Sequence, residues 1–82
     1  MSPEALRQEL RRQPFVPLRV YLTDGKVYEV RHPEMVLLSQ REAYIGKEST
    51  PGSGIAVECD LVSLLHVVRV EPVFPPPSVA AN

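Results

Sequence analysis

Arg31, His32, Pro33 and Glu34 stand together at the end of the run LTDGKVYEVRHPE. Their side chains suit contact with a ligand. Arg31 offers a planar fork for phosphate or carboxylate. His32 can stack, donate or accept near neutral pH, and Glu34 adds a carboxylate. The same four residues also make a plain turn, because Pro33 fixes its own φ and holds His32 extended while Glu34 solvates the bend. The corner therefore reads first as a link between strands and second as a candidate binding site.

Other chemistry is sparse. Cys59, Asp60 and His66 are too few to form a zinc site, which needs three or four converging ligands; no metal and no cofactor is expected. Cys59 with His32 or His66 is the one nucleophile–base combination that cysteine allows, and nothing in the sequence orients the base. Ser39, Ser49, Ser53 and Ser63 stand in no nucleophile-elbow context. The PGSG run lacks the lysine and helix of a phosphate-cradling loop. The chain reads as non-enzymatic. Arg7 and Arg11, four apart with Arg12 adjacent, could form a small phosphate-binding patch with Arg19 or Arg31, and Tyr21 is the one outward-facing aromatic beside it; the plainer reading is a solvated helix face balanced by Glu4 and Glu9.

These residues must be positioned by a small scaffold. Eighty-two residues allow one domain with a modest core, marginal alone or leaning on a partner. The net charge of −1 creates no overall basic field for nucleic acid. Residues 1–33 carry six Lys/Arg against four Asp/Glu, and the remainder three against six, so at most one face is mildly basic. A lone cysteine excludes an internal disulfide. With no leader pattern and no apolar run near 18 residues, the expectation is a cytoplasmic protein without a membrane segment.

Residues 1–72 read as the folded domain and 73–82 as a proline-rich, flexible tail. Ser2 as cap, Pro3 in the first turn and Glu4 at the positive end of the dipole predict a helix over 3–12. PLRVYLTDGKVYEVR predicts a hairpin. A three-residue loop, Thr23-Asp24-Gly25, pairs Leu18 with Val30, Arg19 with Glu29, Val20 with Tyr28 and Tyr21 with Val27. That register leaves one face apolar and the other carrying an ion pair, and it asks for a left-handed Gly25. MVLLS and AYIGK form a second hairpin across QRE, and ESTPGSG is a loop. IAVEC alternates, with Ile55, Val57 and Cys59 expected inward. Asp60 would cap a single turn over LVSLL, and HVVRVEP is the last strand.

Residues 61–70 contain seven apolar residues, with Val68 and Val70 on one face and Leu65 and Val67 on the other. A strand apolar on both sides is covered on both. The N-terminal helix could cover one side, and so could a neighbouring subunit; Leu65, Val67 and Arg69 are the candidates for self-association into a homo-oligomer, with a different protein partner as a further option.

A helix and five or six short antiparallel strands suggest a small barrel. The hairpin RVYLTDGKVYEV resembles the first hairpin of Sm-like proteins, and the single turn before the last strand is a habit of SH3 and Sm-like barrels. That resemblance implies the fold. It implies RNA or DNA binding less well: in RHPEMV, Met35 fits the family's Met-Asn pair, but Val36 stands at the asparagine. ECDL stands where the family has Arg-Gly. Over about sixty residues the chain also resembles a group of short, uncharacterised bacterial proteins that share PF-x-P-L-R-V, V-R-H-P-E and LLH-V-V-R-V-E-P; this likeness carries no site residues with it.

Overall fold

The computed structural model describes residues 1–73, and the predicted tail 73–82 lies, but for its first residue, outside the described residues. Helix α1 spans Pro3–Leu10. The Ser2 hydroxyl accepts a hydrogen bond from the Ala5 N–H at 3.2 Å, which satisfies one open donor of the first turn. The helix stops at Leu10 rather than residue 12, with Arg11 as its C-cap. Leu6 is its anchor, 2% exposed, and Leu10 packs beside it.

Strands β1 (Leu18–Leu22) and β2 (Val27–Val30) pair in the predicted register, Leu18 with Val30 through Tyr21 with Val27. The Leu22 N–H bonds to the Lys26 carbonyl and the Gly25 N–H to the Leu22 carbonyl. Gly25 has φ +89°, a conformation that needs glycine. A 3₁₀ turn over Pro33–Met35 leads into β3 (Val36–Leu38), followed by β4 (Glu42–Glu48) and β5 (Ala56–Ser63). A second 3₁₀ turn, Leu64–His66, precedes β6 (Val67–Pro72).

The six strands form two antiparallel three-stranded sheets, ordered β2-β1-β6 and β3-β4-β5. The first sheet buries Leu18, Val20, Leu22, Tyr28, Val30 and Val67; the second buries Ala43, Ile45 and Val62. With Leu6 of α1, these residues form one apolar cluster. Side chains in this layer are deeply enclosed: Leu18, Val20, Val30 and Ile45 are each 1% exposed.

Three expectations about the later strands are corrected. Strand β5 runs on through Asp60 to Ser63, so Asp60 caps nothing; the Ser63 hydroxyl instead accepts from the Leu65 N–H at the following turn. The parity of β5 is also the reverse of that expected. Ile55 and Val57 are 71% and 63% exposed, and Cys59 is exposed too. The reason lies in β4, whose inward residues Ala43 and Ile45 stand opposite Val62 and Asp60. Opposed residues share a face, so Glu58, Asp60 and Val62 turn inward and Cys59 and Leu61 turn out, a parity that holds up to the irregularity before Ala56. In the last strand Val67 is buried in the core, at 6% exposure, and so is not a self-association contact, whereas Leu65 is 86% exposed.

Chemical denaturation checks this assignment of the core. Ile45→Val should cost about 0.5–1.5 kcal/mol, the usual cost of deleting one buried methyl. Leu65→Ala should change stability by less than about 0.5 kcal/mol. Equal effects would contradict it.

Candidate functional site

The Arg31–Glu34 corner closes a loop. His32 is extended (φ −137°, ψ 131°), as a residue before proline must be, and Pro33 opens the 3₁₀ turn. The His32 ring meets the following loop, with Nε2 3.3 Å from the Gly52 carbonyl and 3.6 Å from Glu48 Oε2. The Glu48 side chain is only 9% exposed. Its carboxylate accepts the N–H of Gly54 at 2.5 Å and of Gly52 at 3.2 Å. The Gly54 bond, followed by the Gly52 bond and nearby His32 and Arg31, holds the Glu48 carboxyl below its ordinary 4.5 against the opposing effect of burial. Glu48 is the residue that sequence reasoning missed. Its only sequence-level signal is its place at the head of a loop with two glycines whose free N–H groups need an acceptor.

The candidate arginines do not converge. On the outer face of the first sheet they form a chain of ion pairs with glutamates. Arg31 contacts Glu29 at 2.7 Å, Arg19 contacts Glu29 at 3.3 Å and Glu71 at 4.0 Å, and Arg69 contacts Glu71 at 2.6 Å. Tyr21 lies within this row. Its hydroxyl donates to Glu71 at 2.8 Å, and the Arg69 guanidinium sits 5.3 Å from its ring centre. Arg7 lies elsewhere, in a shallow depression with Glu4, Leu38 and Gln40, whereas Arg31 lines a groove with Tyr28, Lys47 and Pro51. Arg11 is at the helix end. The proposed phosphate patch is thus divided between α1, the sheet face and the corner, and its sheet members are already paired with carboxylates.

Cys59, Asp60 and His66 are likewise separated in function. Cys59 faces out from β5. Asp60 accepts the Tyr28 hydroxyl and lies 3.5 Å from Lys47 Nζ, which also holds Glu58 at 2.6 Å. His66 is exposed, with Nδ1 3.2 Å from the Thr23 hydroxyl, and its carbonyl accepts the Thr23 N–H at 2.9 Å. It ties the Asp24-Gly25 turn to the turn before β6. Among the described residues no three His, Cys, Asp or Glu side chains gather to hold a metal ion.

The outer face of the second sheet is different in kind. Leu37, Tyr44 and Leu61 lie side by side across β3, β4 and β5. They are 70%, 49% and 51% exposed. Beside them is a shallow, mostly apolar depression of about 410 Å³, lined by Met35, Leu37, Tyr44, Gly46, Ala56 and Cys59, with Glu34 at its rim. Gly46 shapes it: a Cβ there would come within 3.1 Å of Ala56 Cβ and 3.3 Å of Met35 Cε. No carboxylate or cation stands within the Leu37–Tyr44–Leu61 row. Sequence alternation concealed this face because it assigned Cys59 and its neighbours to the core.

No family model, curated protein or solved structure matches the chain.

Two titrations check the polar geometry. Burial first, and the hydrogen bond to Asp60 second, push the Tyr28 phenol up from 10.0 to about 12. A group raised in the folded state stabilises fully below its unfolded value, so this contribution is present up to pH about 10 and lost as pH rises through about 12. Absorbance titration should show a phenol ionising near 12 that is missing in Tyr28→Phe; an unchanged profile would contradict the contact. Glu48 has the opposite sign. Its contribution is present above 4.5 and lost as pH falls through its lower folded value. The Gly54 amide should lose hydrogen-exchange protection in that acid range, and in Glu48→Ala at neutral pH. Unchanged protection in the variant would remove Glu48 from the role of loop clamp.

Proposed function

We propose that this chain is a small, non-enzymatic binding or scaffold module that self-associates, and that the outer face of the second sheet is its contact surface. The observation that carries this reading is the exposed Leu37–Tyr44–Leu61 row. Grouped apolar side chains on a small domain mark interaction sites, whereas singly scattered ones do not. Covering them removes apolar surface from water at roughly 25 cal/mol per Å², and Tyr44 keeps a polar hydroxyl for the rim. The first sheet offers no comparable surface, because its outer face is occupied by paired charges.

The non-enzymatic part of the reading is supported by the separation of the nucleophile from both histidines. Cys59 faces outward, His32 holds a loop and His66 holds a turn. In fold, we read the two sheets as the two sides of an SH3/Sm-like barrel. The support is the shared core, the Asp-Gly hairpin and the single turn before the last strand. An exposed, unpaired cysteine suits a reducing compartment such as the cytoplasm.

Nucleic-acid binding by an Sm-like module is the second reading. It keeps Arg7 and Arg11, for which no ion pair is seen among the described residues. Binding carried by phosphate contacts would fall steeply with salt. The paired state of Arg19, Arg31 and Arg69 favours the first reading.

Sedimentation velocity over a range of protein concentrations tests the proposal. The mass should rise above the 9.2 kDa of one chain as concentration increases, and Leu61→Glu should return it to one chain while leaving the fold intact. A native chain that sediments at 9.2 kDa throughout would overturn the proposal.

A further inference from the structure

We infer that the partner is a second copy of this chain, joined through β5 in an antiparallel pair about a twofold axis at Leu61, so that the two second sheets become one six-stranded sheet. The inference rests on the self-association reading and places its contact at the β5 edge, beside the exposed row rather than over it.

The directions of the backbone groups come first. The Leu64 N–H bonds to the Arg41 carbonyl at 2.8 Å, and the Ser39 N–H to the Glu42 carbonyl at 2.8 Å. Both bonds lie in register with their ladders, Glu42 opposite Ser63 and Leu38 opposite Ala43. Hydrogen-bonded and non-bonded pairs alternate along an antiparallel ladder. The bonds of β5 to β4 therefore belong to Asp60 and Val62. Those of Cys59, Leu61 and Ser63 point away from the sheet, along an edge where no strand pairs among the described residues. This is the longest strand in the fold. It contains no proline or lysine, residues that commonly blunt an exposed edge. Its one irregularity, between Lys47 and Glu48 of the ladder, lies at the Val57 end.

Charge then narrows the register, and the apolar row chooses within what is left. A twofold axis at Cys59 would set Glu58 against Asp60 of the second copy, and an axis at Asp60 would set that carboxylate against itself. An axis at Leu61 avoids both. It pairs Cys59 with Ser63 of the second copy and Asp60 with Val62, and uses only the regular part of the strand. Each outward-pointing residue then exchanges both N–H···O bonds with its opposite.

The side chains agree with this choice. Within one copy Leu37, Tyr44 and Leu61 occupy a single cross-strand row. The axis at Leu61 continues that row without a step into Leu61, Tyr44 and Leu37 of the second copy. It also carries the exposed Leu65 toward the exposed Val57 at the far end of the other strand. A second copy is thus an occupant whose backbone groups, apolar row and charges all match this edge. The contact is small beside the roughly 1,000 Å² expected of a specific interface, so the pair should dissociate on dilution.

Disulfide trapping tests the register. In it, residue 63 of one copy faces Cys59 of the other across a hydrogen-bonded pair, with Cα atoms about 5.5 Å apart, inside the range of about 4.4–6.8 Å that a disulfide spans. The two native Cys59 residues are offset by four positions along the strand, roughly 14 Å. Under mild oxidation Ser63→Cys should become a covalent dimer, at a rate independent of protein concentration once associated, while the native chain should not. As a second probe that removes Cys59, Leu61→Cys in a Cys59→Ser chain should link through the axis. If the reduced native chain is a dimer but neither variant cross-links, or native Cys59 links to itself, the register is overturned and self-association stands. If the reduced native chain sediments as a monomer at high concentration, both are overturned.

Discussion

Ala43 and Ile45 occupy the inner side of β4, each 1% exposed, and both neighbouring strands inherit that parity. Through the ladders, Ile45 places Val36 and Asp60 on the core side, and Ala43 places Leu38 and Val62 there. The intervening residues, Leu37, Tyr44 and Leu61, have no choice but to face out. A chain of this size encloses one apolar layer, and that layer is filled by the first sheet, the inner side of the second and Leu6 of the helix. A second layer would need material from outside the described fold. The exposed row is therefore a consequence of how the core is built, and its apolar composition is what the proposed self-association rests on.

The two sheets treat their outer faces differently. On the first, Arg31, Glu29, Arg19, Glu71 and Arg69 alternate in sign. Exposed pairs of this kind contribute little stability each, about 0–1 kcal/mol. Their effect is to keep that face wetted and to leave few arginines free for phosphate. On the second sheet, the charges Lys47, Glu58 and Asp60 gather on the core side toward Tyr28, where they satisfy one another. This leaves the outer side of β5 uncharged at Cys59 and Leu61. Polar satisfaction within and apolar exposure without come from the same strand parity.

Much of the fold was legible in the sequence where local chemistry fixes the geometry. The Asp24-Gly25 turn admits only one register that keeps Val20 and Tyr28 on the same face, and that register is observed. Ser2 and Pro3 mark the helix start, and the turn before the last strand is present. Strand β5 was misread because Ile55, Val57 and Cys59 alternate as convincingly as a core strand does. Alternation gives a face but not which side that face lies on; β4 decides it, through partners eight to twenty-one positions away in sequence. The same limit hid Glu48, whose partners His32, Gly52 and Gly54 are joined only when the loop folds back. Arg31 and His32 read in the sequence as a turn or a ligand-contacting corner, and each has a structural partner that spacing alone could not reveal.

The most direct test of the account is residue-resolved amide hydrogen exchange along β5 at low and at high protein concentration. The Asp60 and Val62 amides, which point toward β4, should be protected at both. The Cys59 and Leu61 amides should exchange freely when dilute and become protected when concentrated, because only a second strand can accept them. If Cys59 and Leu61 exchange freely at every concentration, the edge stays open and the account of β5 as the strand that pairs two copies is wrong.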